Sequence, residues 1–294
     1  MIDQAQSLRR SIEEYKRRKT ARHRRRVRVI SVASGKGGVG KTNFSVNLAI
    51  SLSQMGNNVV VLDADLGLAN VDVIIGVVPR ENLYDVIFNN RSIEDITIDG
   101  PSGIKIIPGG SGIESLSNLS DSQRRRLSDK FGQLKDTDIL IIDTGAGISK
   151  NVLGFMAVSD EEIIVTTPEP TSITDAYSLI KVALKYMPKK KIDIVINRSQ
   201  DHYEADLTYQ RLEKAVKNFL NSDINYLGYV ADDAKVKKAV MEQTPFKVSY
   251  PECYASKCID DIASSITGMP VPEKKAGSIK DFLNRLTYLF GKLG

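Results

Sequence analysis

A glycine-rich loop with two lysines is the segment of this 294-residue sequence best suited to chemistry. The loop reads Gly35-Lys36-Gly37-Gly38-Val39-Gly40-Lys41-Thr42, and it lies between an apolar run and a helix-forming run. It fits the pattern G-x-x-x-x-G-K-[ST], in which backbone N–H groups and the N-terminus of the next helix surround phosphate groups. In that pattern Lys41 reaches the β- and γ-phosphates and Thr42 binds Mg²⁺. The loop therefore predicts a nucleoside triphosphate site.

Three aspartates follow apolar runs at positions where a phosphoryl-transfer site needs carboxylates. Asp63 and Asp65 follow the run 59–62, and Asp143 follows the run 139–142. Such a site requires groups that hold Mg²⁺ and a group that orients the attacking water. A single aspartate at the end of a strand is more often a cap or a solvated side chain. The joint occurrence with the glycine-rich loop favours a functional role.

Lys36 is not required by the general phosphate-loop pattern, and it makes the resemblance more specific. The sequence Gly-Lys-Gly-Gly-Val-Gly-Lys-Thr resembles the deviant phosphate loop of the MinD/ParA family of ATPases. This resemblance implies that Lys36 crosses a dimer interface and touches the nucleotide of the partner subunit. Hydrolysis then requires an ATP-dependent homodimer, in which the second cation supplies the charge that an arginine finger supplies elsewhere.

The same resemblance assigns roles to the three aspartates. Asp143 precedes Thr-Gly-Ala-Gly and is similar to the Walker B aspartate, an outer-shell ligand of Mg²⁺. Asp65 lies in a segment that resembles switch I, where the second aspartate positions the attacking water. Asp63 would support the metal shell together with Thr42. The expected catalytic residues are therefore Lys36 and Asp65, and the expected cofactors are ATP or ADP with Mg²⁺.

The choice of base is argued from the end of a later apolar run. Sites specific for GTP usually carry Asn-Lys-x-Asp, whereas this chain has Asn197-Arg198-Ser199-Gln200 and lacks the acidic residue that would recognise guanine. The family resemblance places Asn197 against adenine, with Arg198 beside it, and so favours ATP. The alternative is that Asn197 only caps the end of a strand.

Apolar runs that alternate with helix-forming runs are expected to position these residues. Strand-like runs cover residues 27–32, 59–62, 104–108, 138–143, 163–167, 192–197 and 225–230, and helix-like runs cover 41–55, 171–187, 203–220 and the region around 260. Continuous Val/Ile-rich strands that alternate with helices are typical of a parallel sheet covered on both faces. The sequence predicts an α/β fold, a MinD-like P-loop NTPase domain over residues 27–268 with a mostly parallel central sheet.

The N-terminal segment, residues 1–26, is predicted to be a basic tail with a partner-binding element. Residues 1–28 contain eleven basic and three acidic residues, a net charge of +8, whereas the rest of the chain has a net charge of −3. Asp3, Gln4, Ala5, Leu8 and Arg9 resemble an element of the flagellar-number regulators within the MinD-like ATPases. In those proteins the element stimulates the GTPase FlhF, and further partners are switch (C-ring) components of the flagellum. The basic run itself is a solvated tail or a contact for RNA, acidic lipid or an acidic protein.

The C-terminal segment, residues 278–294, follows a predicted linker at residues 269–277 and forms a separate amphipathic helix. At 100° per residue its apolar side chains fall on one face, and its charged side chains fall outside that face. The apolar residues are Ile279, Phe282, Leu283, Leu286, Leu289, Phe290 and Leu293. The pattern favours a helix lying in the plane of an anionic membrane surface, as at the end of MinD-like proteins. The alternative is a helix packed on its own domain or on a neighbour.

Composition limits the remaining classes of function. Two cysteines, no apolar signal segment and no run of 18 apolar residues favour a cytoplasmic protein. The C-terminal helix and the resemblance to MinD-like proteins imply a peripheral position on the inner face of the cell membrane. Alternatives within the family are a division-site ATPase of the MinD type and a partition ATPase of the ParA type. The negative charge of the body argues against the latter, so DNA is not an expected partner. The spacing of Cys253 and Cys258 argues against an iron–sulfur scaffold.

Overall fold

An eight-stranded sheet forms the centre of the computed structural model, which describes residues 27–65, 71–116, 119–134, 136–188, 190–269 and 278–293. Its strands are β1 (Arg28–Ser34), β2 (Val59–Ala64), β3 (Ile98–Asp99), β4 (Lys105–Pro108), β5 (Ile139–Ala146), β6 (Glu161–Thr166), β7 (Asp193–Ser199) and β8 (Asn225–Ala231). The spatial order is β3-β4-β2-β5-β1-β6-β7-β8. All neighbours pair in parallel except β3 and β4, so the predicted mostly parallel sheet is confirmed.

The described helices connect these strands on both faces of the sheet. They are α1 (Lys41–Gln54), α2 (Val71–Ile75), α3 (Leu83–Phe88), α4 (Ile93–Ile96), α5 (Ser111–Ser115), α6 (Asp121–Phe131), α7 (Lys150–Val158), α8 (Pro170–Tyr186), α9 (His202–Leu220), α10 (Ala234–Met241), α11 (Phe246–Ser249), α12 (Tyr254–Gly268) and α13 (Ile279–Leu293). Within the described ranges, no helix is both long enough and apolar enough to span a bilayer.

Alternating side chains of the strands enter different apolar clusters, which explains why the strands are apolar throughout. In β5, Ile139 and Ile141 belong to the cluster under α1 and α12, whereas Leu140 and Ile142 belong to a cluster on the opposite face. That second cluster also contains buried residues of α3, α6, α7 and α13, and a third cluster lies under α8 and α9. A strand buried on both faces cannot alternate between apolar and polar residues. The predicted helices on both faces are thus confirmed.

Register places the ends of the central strands side by side. β1 lies between β5 and β6, and the glycine-rich loop leaves its carboxyl end. β2 pairs with β5 so that Asp63 is directly opposite Asp143. Ligands of open α/β sheets bind beyond the carboxyl ends of the strands. The topology therefore gathers the loop and the candidate carboxylates at one edge.

The C-terminal helix α13 is docked on the domain rather than held away from it. Ile279, Phe282, Leu283 and Leu286 are at most 3% exposed, in the same apolar cluster as α6 and α7. At the start of the helix, Ser278 N donates to Asp281 Oδ2 (2.8 Å) and Asp281 N donates to Ser278 Oγ (3.2 Å). The expected separation of the helix from the core is therefore not what the structure has. The apolar face meets an equally apolar surface of its own domain, which is the alternative open from the sequence.

Candidate functional site

The glycine-rich loop follows β1 and turns sharply into α1. Gly38 and Gly40 have φ values of 79° and 89°, in the left-handed region that side chains disfavour. Gly35 lies so close to α8 that a Cβ on it would be 2.2 Å from the backbone carbonyl carbon of Asp175. Glycine is favoured at Gly38 and Gly40 by the left-handed backbone, and at Gly35 by the close approach of the α8 backbone. The segment adopts the sharp turn that a phosphate-binding loop requires.

Lys41 points inward to the carboxylate at the end of β5. Its Nζ donates to Asp143 Oδ1 at 3.0 Å, and Ser45 Oγ, one turn further along α1, donates to the same oxygen at 2.7 Å. Lys41 and Asp143 are 6% and 0% exposed, so this is a buried ion pair. A buried pair of this kind holds the lysine in place beside the loop until phosphate groups offer it a second acceptor.

Asp63 faces Asp143 across the β2–β5 pair, and the two buried carboxylates affect each other. Burial, and then the charge of Asp143, raise the pKa of Asp63 to about 7. Backbone N–H groups act in the opposite direction: Asp65 N donates to Asp63 Oδ1 (3.2 Å) and Val71 N donates to Asp63 Oδ2 (3.3 Å). Two acidic groups in a low-dielectric site favour a bound cation, since it removes their mutual repulsion.

The residues present fit the Mg²⁺ ion that phosphate-loop enzymes use. Asp143 Oδ2 is buried, and among the described residues it has no hydrogen-bond partner. An acceptor oxygen in that state is suited to a water molecule of a hydrated metal ion. Thr42 is half-buried at the start of α1, next to Lys41. Thr42, Asp143 and Asp63 are thus the residues that would hold the ion, the set predicted from the sequence.

Asp65 lies at the end of the described part of the first switch segment, since residues 66–70 are outside the described ranges. Its carboxylate is close to the last residues of β5: a Cβ on Gly145 would lie 3.5 Å from Asp65 Oδ1. Asp65 is half-buried, unlike Asp63, which is 3% exposed. The structure thus brings the expected water-positioning residue beside the end of β5, where a γ-phosphate of a loop-bound nucleotide would lie.

Lys36 points away from its own phosphate loop. Its Nζ donates to Thr171 Oγ1 at 2.9 Å and to Glu169 Oε2 at 3.2 Å, both at the N-terminus of α8. The Lys36 side chain is 39% exposed, against 6% for Lys41. One lysine of the loop is therefore directed into the chain's own site and the other to its surface.

Asn197 supports the loop from the neighbouring strand. Its Nδ2 donates to the carbonyl oxygen of Val39 at 2.6 Å, and a Cβ on Gly40 would lie 2.3 Å from the same nitrogen. Asn197 and Arg198 also line a cavity of about 340 Å³ beside α1. Arg198 has a φ of 56°. The structure thus gives Asn197 a position next to the cavity and, in addition, a bracing role that the sequence does not reveal.

The far wall of this cavity was not predicted from the sequence. It is formed by the residues that follow β8 and by the first turns of α10, namely Ala231, Asp232, Asp233, Val236 and Lys237. The available signal was the pair of aspartates directly after the strand-like run 225–230. A cavity that is mostly apolar with a few polar groups, beside a phosphate loop, is of the kind that holds a nucleobase.

Two other sets of predicted residues lie elsewhere. Asp3, Gln4, Ala5, Leu8 and Arg9 are outside the described residues, as is most of the predicted linker. Of the predicted membrane residues, Leu289 is partly buried against the same cluster as the four buried ones, and the side chains of Phe290 and Leu293 are outside the description. Among the predicted membrane residues whose side chains are described, four are buried and Leu289 is partly buried, so none is fully exposed.

Comparison with known proteins agrees with this architecture. Residues 27–196 match the AAA domain family. The chain is 39% identical over 261 residues to the antiactivator FleN of Pseudomonas aeruginosa, covering 88% of this chain and 93% of that protein. It is 37% identical to the flagellum site-determining protein YlxH of Helicobacter pylori, covering 89% and 90%. The septum site-determining protein MinD of Bacillus subtilis is 30% identical over 83% of this chain and 91% of that protein.

A solved structure gives the same fold with a nucleotide present. MinD of Pyrococcus horikoshii complexed with Mg-ADP has a TM-score of 0.64 and 26% identity, covering 86% of this chain and 98% of that one. Together with the phosphate loop, its two lysines and the paired carboxylates, these matches show that the chain belongs to the MinD/ParA family of P-loop ATPases, in the FlhG group that contains FleN.

Proposed function

We propose that this chain is a weak ATPase that works as a dimerising switch in the control of flagellar number and placement. Two relatives support this role at 39% and 37% identity over most of both chains, namely the antiactivator FleN and YlxH, whose name describes determination of the flagellum site. The proposed cycle has two states. An ADP-bound monomer carries a docked C-terminal helix, and two ATP-bound copies associate through their phosphate loops.

The different directions of the two loop lysines carry the proposal. Lys41 is buried against Asp143, where it serves the nucleotide of its own chain. Lys36 extends to the surface, where its contacts to Glu169 and Thr171 are exposed and therefore exchangeable at small cost. A surface lysine beside the phosphate loop can reach a second nucleotide only if another chain presents it. We assign Lys36 to that contact in trans.

The chain's own residues divide the remaining work. The loop N–H groups and Lys41 bind the phosphates, while Asn197 and Arg198 hold the base beside the cavity. Thr42, Asp63 and Asp143 hold Mg²⁺, which when bound neutralises charge on the β- and γ-phosphate oxygens. Asp65 orients the attacking water. A site that is completed only by Lys36 of a second copy hydrolyses ATP slowly until two copies meet.

The output of the switch is the state of helix α13. Full burial of its four buried apolar residues at ~1.5–3 kcal/mol each gives an upper bound of ~6–12 kcal/mol for docking. The same face would be buried at a membrane, so docking and membrane binding compete for it. A single copy gains little free energy when its helix leaves the docked position and enters the membrane. Two helices on one dimer bind together, and avidity gains of ~10²–10⁴ shift the balance to the membrane.

Partners follow from the two ends of the chain. Asp3, Gln4, Ala5, Leu8 and Arg9 would engage the GTPase FlhF, and switch (C-ring) components of the flagellum are the expected structural targets. The site of action is then the inner face of the cell membrane. The net charge of −3 from residue 29 onward does not support a DNA-binding body.

Measurement of molecular mass with ADP and with a slowly hydrolysed ATP analogue tests this function. The wild-type chain should be monomeric with ADP and dimeric with the analogue. Lys36→Ala should stay monomeric and lose ~10²–10³-fold in ATP turnover, as expected for loss of one transition-state contact. Lys217→Ala, on the exposed face of α9, is the matched control. A Lys36→Ala protein that still dimerises and cleaves ATP at the wild-type rate would contradict the proposal.

A further inference from the structure

Helices α6 and α13 together have a net positive charge, whereas the remainder of the domain has a net negative charge. α6 (Asp121–Phe131) contains four basic and two acidic residues, and α13 (Ile279–Leu293) contains three basic and one acidic residue. The pair therefore has a net charge of +4. From residue 29 onward, the remainder of the chain has a net charge of −7. The pair is thus basic within a body that is acidic in total, and the shorter α10 is a second basic helix, with three lysines and no acidic residue.

The two helices form one continuous surface. Ser128 Oγ of α6 donates to the carbonyl oxygen of Lys280 at 3.4 Å, and the Lys280 ammonium group forms an ion pair with Asp129. These contacts lie beside the buried apolar seam that joins α13 to α6 and α7. Arg125, Arg126 and Lys280 are thus carried by two helices that pack directly on each other while α13 is docked.

The basic side chains of this surface have spare donors. Arg125 and Arg126 of α6 are exposed, and Lys280 is half-exposed. Arg124 and Arg285 are half-buried. Guanidinium groups with unused N–H donors bind phosphate oxygens, often with two parallel hydrogen bonds.

Cations are also crowded along α6 itself. Lys130 is partly buried, where its Nζ donates to the carbonyl oxygens of Val86 and Arg91. Burial, and then the charge of Arg126 one turn away, lower its pKa from the usual value. Close positive charges repel one another, and a polyanionic surface relieves this repulsion.

We propose that α6 and the docked α13 form a cationic surface that binds the phosphate groups of anionic phospholipids before α13 is released. This inference rests on the proposed membrane function and deepens it. The apolar face of α13 gives membrane binding only after undocking, whereas the cationic surface can act while the helix is still docked. It holds the domain against the membrane, so that a released helix enters lipid at high local concentration rather than searching from solution.

Vesicle co-sedimentation of the full chain tests the surface. Vesicles of phosphatidylcholine alone and of phosphatidylcholine with an equal amount of phosphatidylglycerol are compared, at about 0.1 M and about 1 M salt, where the Debye length is ~10 and ~3 Å. With ADP, the wild type should bind only the anionic vesicles and only at the lower salt. The double variant Arg125→Glu/Arg126→Glu should bind at least about 30-fold more weakly, since each basic residue near an anionic surface contributes ~1 kcal/mol.

A matched control separates the surface from total charge. Lys214→Glu/Lys217→Glu changes the charge by the same amount on the exposed face of α9, and the basic N-terminal tail is unchanged in all variants. This control should lose less than about threefold, because its lysines lie outside the proposed surface. Equal losses in the two double variants, or no loss in the arginine variant, would overturn the cationic surface.

The ATP analogue distinguishes this proposal from the proposed function. If the wild type binds vesicles more tightly with the analogue than with ADP, and the arginine variant binds as tightly as the wild type in each nucleotide state, the surface is refuted and the switch stands. If binding depends on Arg125 and Arg126 but not on the nucleotide, the surface stands and the coupling to ATP is refuted. If the wild type binds no anionic vesicle in either state, both proposals are wrong.

Discussion

The docked state of helix α13 can be weakened by changing a buried residue of the domain on which α13 packs, without changing α13 itself. Leu127 of α6 is 1% exposed and lies in the apolar cluster that α13 completes. Leu127→Ala therefore destabilises docking and leaves the membrane-binding face of α13 intact. Truncation of a buried leucine costs ~2–5 kcal/mol in total. We expect ~1–2 kcal/mol of this to belong to the contact with α13, which increases the undocked population by about 5- to 30-fold.

A double-mutant cycle with Leu286→Ala measures that share. Leu286 of α13 is fully buried in the same cluster, and it also belongs to the face proposed to enter lipid. The free energy of unfolding of the wild type, the two single variants and the double variant is obtained from urea titrations. We expect a coupling energy of ~1–2 kcal/mol between the two positions.

Vesicle binding in the presence of ADP gives a second readout, in which the two variants should differ in affinity for anionic vesicles. Leu127→Ala should bind anionic vesicles more tightly than the wild type, because only the docked state is weakened. Leu286→Ala should gain nothing, because it weakens docking and lipid burial together. The proposed competition between docking and membrane binding of α13 would be refuted by either of two results. One is that the two single substitutions have additive effects on the free energy of unfolding. The other is that Leu127→Ala binds vesicles with ADP no more tightly than the wild type does.

Four further changes address other parts of the molecule. Asn197→Ala removes the buried bond to the Val39 carbonyl oxygen, and calorimetry should find ADP binding weaker by ~1–3 kcal/mol. Asp65→Ala should abolish hydrolysis but retain the dimer with ATP; a monomer on gel filtration argues against its role. Glu162 is fully buried, and burial raises its pKa from 4.5 to about 8. As pH rises from 4.5 to about 8, Glu162 ionises in the unfolded chain but not in the folded one, so the free energy of unfolding falls. In urea titrations, Glu162→Gln should be ~1–3 kcal/mol more stable than the wild type near pH 8 and equally stable near pH 4.5. Deletion of residues 1–9 should leave basal ATP turnover unchanged and abolish stimulation of FlhF; stimulation that persists contradicts the assignment.

The sheet and the carboxylate edge could be predicted because each rests on a local pattern. A β-branched run buried on both faces has few alternatives, and parallel strands in register must bring Asp63 beside Asp143. The helices α2 to α5 were not predicted, since each is only four to six residues long. Two of them depend on capping boxes at Asn82 and Ser92 rather than on a repeating apolar face.

The placement of α13 could not be derived from its sequence. The amphipathic pattern shows that one face of the helix must be buried. A bilayer and an apolar groove lined by Leu127 and Phe155 can both bury that face. Whether α13 docks on the domain depends on the apolar residues of α6 and α7, which are far from α13 in the sequence. The bracing role of Asn197 was missed for the same reason, because its acceptor, Val39, is 158 positions away in the sequence.

The near-contact of Gly35 with the backbone of α8 limits where a nucleotide signal can travel. A Cβ at this position would overlap the carbonyl group of Asp175, so the backbones of the loop and the helix meet directly. No side chain lies between them that could adjust to a movement. Two backbones in such contact shift as a unit or not at all. We therefore expect loss of the γ-phosphate to be transmitted to α13 through residues 147–149, which lead from β5 into α7, one of the helices on which α13 packs.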